Sequence, residues 1–201
     1  SLDTAVRPKT FTGLAAWTES QAYLTIGKDP ERFNSGVITP SLFGALGARP
    51  ILGRDFLPEE GVEGNQFTSV MISHRIWKDR LGSDPDVIGR TFRMNGRVRT
   101  VVGVMGPGFQ FPETADFWIP LALDPAVDHR AGRFLDVVAR LRPGVSVAAA
   151  GAEVQGIAQV VAQQHPETNE HIGARVLPLR ESMVEEIRPA MAMLMVAVGF
   201  V

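Results

Sequence analysis

The sequence predicts an α+β fold, and three stretches predict it. In RTFRMNGRVRTVVGVM, residues 90–105, β-forming flanks meet at Asn95-Gly96, a dipeptide suited to the two positive-φ positions of a type I′ hairpin turn. Residues 146–164 carry Val147, Ala150, Val154, Ile157, Ala158 and Val161 on one helical stripe, with Glu153, Gln155, Gln159 and Gln163 away from it. Between residues 11 and 39, FTGLAAW, QAYLTI and ERFNSGVIT roughly alternate apolar and polar positions, as short strands do.

Taken in order, those first strands form a meander with a GKDP turn before the third. Pro40 suits the first turn of a helix, where its missing N–H has no partner to lose, so PSLFGALG reads as two helical turns stopped near Gly47. ARPILGRDFLPEEGVEGN reads as a loop, and its acidic, glycine-rich end marks a subdomain boundary. FTSVMI follows as a strand, then SHRIWKDRLG as a helix with Ser73 at its N-cap and Gly82 at its stop, then a SDPDVIG turn and the hairpin. GPGFQFPETADFWIPLAL begins as a loop and enters a strand near Phe117–Leu121. The last part has a β-α-β pattern: FLDVVARL, a turn at Arg142-Pro143-Gly144, the striped helix ended by His165-Pro166, and IGARVLPL. RESMVEEIRP reads as a short polar helix.

Composition narrows the function classes. With 201 residues, 45% apolar and 21% charged, the chain can bury a sizeable core, and a net charge of −2 offers no basic excess for nucleic acid or anionic lipid. The chain has no cysteine, which removes disulfides, thiolate chemistry and cysteine-bound zinc, and suits an oxidising compartment. The first residues, SLDTAVRPKTFTGLAAW, lack the basic and apolar regions of a signal peptide, so an export signal is expected outside this chain.

No catalytic, metal or cofactor constellation is expected. The histidines at 74, 129, 165 and 171 form no i, i+4 pair. Ser73 and His74 diverge on a helix, no G-x-S-x-G elbow is present, and Glu59-Glu60 reads as solvated loop charge. The glycines match no phosphate-binding loop. Arg90, Arg93, Arg97 and Arg99 fit charges guarding a sheet edge better than phosphate contacts. Phe109, Phe111, Phe117 and Trp118 are the candidates for a ligand groove, against the favoured reading of packing in the core or between subdomains.

The segments GVITPSLFGALGARPILGRDFLPEE, VMISHRIWKDRLGSDPDVIGRTFRMNGRVRTVVGVMGPGF and DFWIPL, in that order, resemble the MacB-like periplasmic core domain of ABC transporter permeases of the MacB/FtsX type. RFLDVVARLRPGVSVAAAGAEVQGIAQVVAQQHPETN is similar to a permease branch common in acidobacteria. The resemblance implies a porter-like β-α-β subdomain at 1–48 with 130–188, an inserted mostly-β subdomain at 49–129, and the truncated start of a transmembrane helix at 189–201. PAMAMLMVAVGFV, uncharged and too short at about 18 Å to cross a bilayer core of about 30 Å, then reads as half a span, with Arg188 and Pro189 at the membrane boundary. What the resemblance implies for function is a non-catalytic periplasmic domain of an inner-membrane efflux permease, passing transmembrane-helix movement to the periplasm. Its partners would be a second permease copy in a homodimer, a cytoplasmic ATPase that holds the ATP, a periplasmic adaptor and an outer-membrane channel. The rival reading is a periplasmic ligand-binding module using the aromatic loop at 108–118.

Overall fold

The computed structural model describes residues 8–25, 29–65, 68–112, 114–122, 135–169 and 173–179. The expected membrane boundary at Arg188 and Pro189, the polar helix, the terminal apolar run, His129 and His171 lie outside the described residues. The described residues between 12 and 140 belong to one compact unit, and those at 8–11 and from 141 onward belong to the other.

In the first unit, β1 (Phe11–Leu24) pairs antiparallel with β2 (Glu31–Ile38), from Trp17 opposite Ile38 to Leu24 opposite Glu31. The two short strands expected first are thus one 14-residue strand. Beyond β2 comes β7 (Phe117–Pro120) in parallel, then β4 (Ser69–Ile72), then β6 (Arg97–Met105), which also pairs with β5 (Thr91–Met94). Because β5 meets β1 again at Met94 and Leu24, the pairing closes on itself as a ring of six strands. β3 (Pro50–Gly53) branches onto the far end of β6, and β8 (Asp136–Leu141) lies beside β1.

Successive side chains on a strand point to opposite faces, so a closed ring needs two apolar sets. One cluster draws on all six strands and fills the inner side: Leu24, Phe33, Ile72, Met94, Val101 and Phe117 are among its members. The other set, including Ile38, Met71, Val102 and Trp118, packs under Leu42 and Phe43 of α1 (Leu42–Leu46). This short helix stops where expected, at Gly47 with φ 72°.

Local chemistry explains most remaining elements. Asn95 and Gly96 have φ of 50° and 78°, the paired positive values of the expected hairpin turn. Ser73 caps as expected, its Oγ accepting from the Ile76 amide at 3.2 Å, and Gly82 ends the turn with φ 66°. The helix between them widens into a π-helix over Ile76–Arg80. That winding lets the Trp77 indole N–H donate to the Asp84 carbonyl at 2.8 Å, tying the helix to the turn that follows.

In the second unit, α2 (Val147–Gln164) starts at Ser146, whose Oγ accepts from the Ala149 amide at 3.1 Å, and ends at His165 as expected. α3 (Pro166–Asn169) follows. Ala150 is the fully buried member of the stripe, whereas Val147 is 38% exposed. The strand expected at 172–179 does not form over its described residues, 173–179. Pro178 lacks a ladder donor, and a short apolar run cannot become a strand without a partner edge.

Candidate functional site

The four aromatic candidates separate into two places. Phe117 and Trp118 are neighbours on β7, both fully buried, and face opposite sides of the sheet. Phe117 meets Phe33 edge-on at 5.3 Å inside the ring. Trp118 packs against Phe43 at 5.7 Å and Phe109 at 5.6 Å, while its indole N–H donates to the Phe111 carbonyl at 2.9 Å. Phe111 in turn meets Trp17 edge-on at 5.2 Å. Three of the four share one cluster, and Phe109 is the one that also lines an open cleft of about 280 Å³.

That cleft lies between the helical turn at 74–81 and the loop residues 106–110 and 114–116. One wall carries His74, Arg75, Lys78 and Asp79; the other carries the Gly106–Gln110 turn and Asp116. The Asp116 side chain is only 8% exposed and is ion-paired with Arg75, which is 59% exposed. Its backbone is fixed on both sides: the amide donates to the Asn34 carbonyl at 2.9 Å, and the carbonyl accepts from the Ser73 amide at 2.9 Å. Burial pushes the Asp116 carboxyl above the usual carboxylate range, and the bond from Arg75 offsets only part of that. Sequence reading passed over Asp116, since an acid before a strand carries no signal of the arginine 41 positions away.

Elsewhere in this unit the polar groups hold backbone. Glu60 was expected to be solvated and is instead buried, because the loop wraps Arg54, Leu57 and Ser69, all within nine positions of it, around its carboxylate. Its carboxylate accepts from both Arg54 guanidinium nitrogens at 2.9 and 3.0 Å, from the Leu57 amide at 2.6 Å, and from Ser69 Oγ. Burial alone would raise its pKa, but these donors outweigh it and the net shift is downward. A carboxylate so fully occupied is suited to pinning a loop and not to moving protons.

Arg54 follows Gly53, and the Arg54 amide donates to the Val102 carbonyl at 2.8 Å. A Cβ on Gly53 would lie 2.2 Å from that carbonyl oxygen, and one on Gly103 would lie 2.4 Å from the Arg54 oxygen. Residues 48–65 read as a loop because PILG is too short to alternate, yet close approach of two glycines makes β3 possible there. Asn95 does more than turn the hairpin: its amide donates to the Tyr23 carbonyl at 3.0 Å, its Oδ1 accepts from the Tyr23 amide at 2.8 Å, and its Nδ2 donates to the Gln21 carbonyl at 3.1 Å.

In the second unit, Glu153 of α2 grips the segment before β1. It accepts from the Lys9 amide at 2.7 Å, the Thr10 amide at 2.9 Å and the Thr10 hydroxyl, while the Thr10 carbonyl accepts from the Arg142 amide at 2.8 Å. Hydrogen bonds from Thr10, then from the two amides, lower the Glu153 pKa. Among the described residues, no group of three acidic or histidine side chains is placed to hold a metal, and no helix is long and apolar enough to cross a membrane.

Residues 3–157 match the family model of the MacB-like periplasmic core domain. The crystal structure of the periplasmic region of MacB from Actinobacillus actinomycetemcomitans is similar in fold, with a TM-score of 0.60 at 14% identity, covering 83% of this chain and 73% of that one. So is the extracellular domain of the noncanonic ABC-type transporter YknZ from Gram-positive bacteria, with a TM-score of 0.59 at 13% identity, covering 85% of this chain and 83% of that one. No curated protein matches the chain in sequence.

Proposed function

Since the chain belongs to the family of MacB-like periplasmic core domains, we propose that it serves an ABC-type efflux permease of the bacterial inner membrane and relays transmembrane-helix movement to the periplasmic side. ATP would be bound and hydrolysed by a separate cytoplasmic ATPase. A second permease copy completes a homodimer, and an adaptor and outer-membrane channel lie downstream.

The observation that carries the relay is the grip of Glu153 on residues 9 and 10. On this reading a membrane helix precedes the domain, so a pull on it reaches the chain at that point. Three hydrogen bonds donated to one carboxylate pass displacement to α2 without first stretching a loop. A mechanical role is supported by the two buried carboxylates among the described residues, Glu60 and Asp116, each of which is held by an arginine.

The test uses the full-length permease with its ATPase. Glu153→Ala should leave ATP turnover in place while lowering substrate transport per ATP, and Glu153→Gln should lower it less. Unchanged transport per ATP in Glu153→Ala would remove the relay. A native gene with a stop codon directly after Val201 would sink the permease reading itself.

A further inference from the structure

We propose that the cleft between the helical turn at 74–81 and the loop residues 106–110 and 114–116 binds a small zwitterion with an apolar side group, of amino-acid or dipeptide size. The inference sharpens the ligand-binding alternative and stands apart from the relay: a domain that binds without relaying, or relays without binding, fails only one of the two tests.

Size comes first. At about 280 Å³ the cleft falls just under the roughly 300–1,000 Å³ typical of drug-sized sites, which leaves room for a small polar molecule. Charge selects the class. Arg75 and Lys78 both line the helical wall of the cleft, so that wall presents two cations. Arg75 is fixed from beneath by the buried Asp116 carboxylate, yet remains 59% exposed. A guanidinium has five N–H donors in a rigid fork, so holding it on one side leaves the others aimed. Asp79 lines the same cleft, and among the described residues neither Lys78 nor Asp79 is ion-paired.

A simple anion would therefore meet the Asp79 carboxylate, and a simple cation would meet Lys78 and Arg75. A molecule bearing both charges satisfies all three: its carboxylate toward Arg75 and Lys78, its ammonium toward Asp79. The Phe109 ring, half-buried and backed by Trp118, supplies an apolar surface for the side group.

The test is calorimetric titration of the 201-residue chain with L-phenylalanine, glycyl-phenylalanine, 3-phenylpropanoate and 2-phenylethylamine. At least one zwitterion should bind with a Kd about tenfold or more below those of both single-charge analogues. Lys78→Met and Asp79→Asn, both at exposed positions and expected to fold, should each weaken it by about tenfold. Absence of binding by both zwitterions, equal binding of either analogue, or variants with unchanged affinity would each overturn the site.

Discussion

Glu60 receives hydrogen bonds from Arg54, Leu57 and Ser69, whereas Asp116 is held by Arg75, and the two buried carboxyls shift in opposite directions. Glu60 has a lowered pKa in the fold. Its contribution is present above the ordinary carboxylate range and disappears as pH falls through the folded value. Asp116 has a raised pKa, so its contribution is present at acid pH and is lost as pH rises through the folded value. At neutral pH, Glu60→Gln should cost about 1–3 kcal/mol, allowing for the partly exposed Arg54, while Asp116→Asn should change stability by about 1 kcal/mol or less. Urea titrations of both variants at neutral and acid pH check the order, and the gap should narrow in acid. Glu60 illustrates what residue-level reading misses. A Glu-Glu pair before a glycine-rich loop has the local character of surface charge, and only Arg54 and Ser69, brought in by the fold, make it a buried anchor.

At the scale of elements, β3 against β6 is the most demanding contact, because Gly53 and Gly103 sit opposite each other in the pairing. Gly53→Ala and Gly103→Ala should each cost about 2–4 kcal/mol, since the new Cβ would meet a backbone oxygen that cannot turn away. Gly89→Ala, at φ 88° with nothing within 4 Å of a Cβ, should cost only about 1–2 kcal/mol of backbone strain. Urea midpoints of the three variants test that ranking. Elements with a local cause were legible: the Asn95-Gly96 hairpin, the Ser73 and Ser146 caps, and the Gly47 stop. β3 was not, because its reason for existing lies in Gly103, about fifty positions further along. Nor was the widening over Ile76–Arg80, which places the Trp77 indole against a carbonyl seven positions away at Asp84. In the cleft, Phe109 was legible as an aromatic candidate, but the charged wall at 74–79 was read only as a helix.

For the molecule as a whole, the motif residues that betray the family, among them Gly53, Arg54, Trp77, Asn95 and Gly103, all turn out to hold the scaffold. Family membership could therefore be read from sequence while ring closure could not, since β2 with β7 and β4 with β6 join distant segments. The seam between β1 and β5 rests on Leu24 opposite Met94 and on Asn95. Asn95→Gly keeps a residue tolerant of positive φ but removes both side-chain bonds, and should cost about 1–2 kcal/mol. Hydrogen exchange should then quicken at Tyr23 more than at Val101. The ring also imposes an order of events on folding. The β5–β6 hairpin needs only neighbouring residues and forms on a scale of about 1–10 μs, but the seam joins positions seventy residues apart and must wait for a slower, long-range search. If the seam closes after the rate-limiting step, Asn95→Gly will leave the refolding rate nearly unchanged and express its whole penalty as faster unfolding.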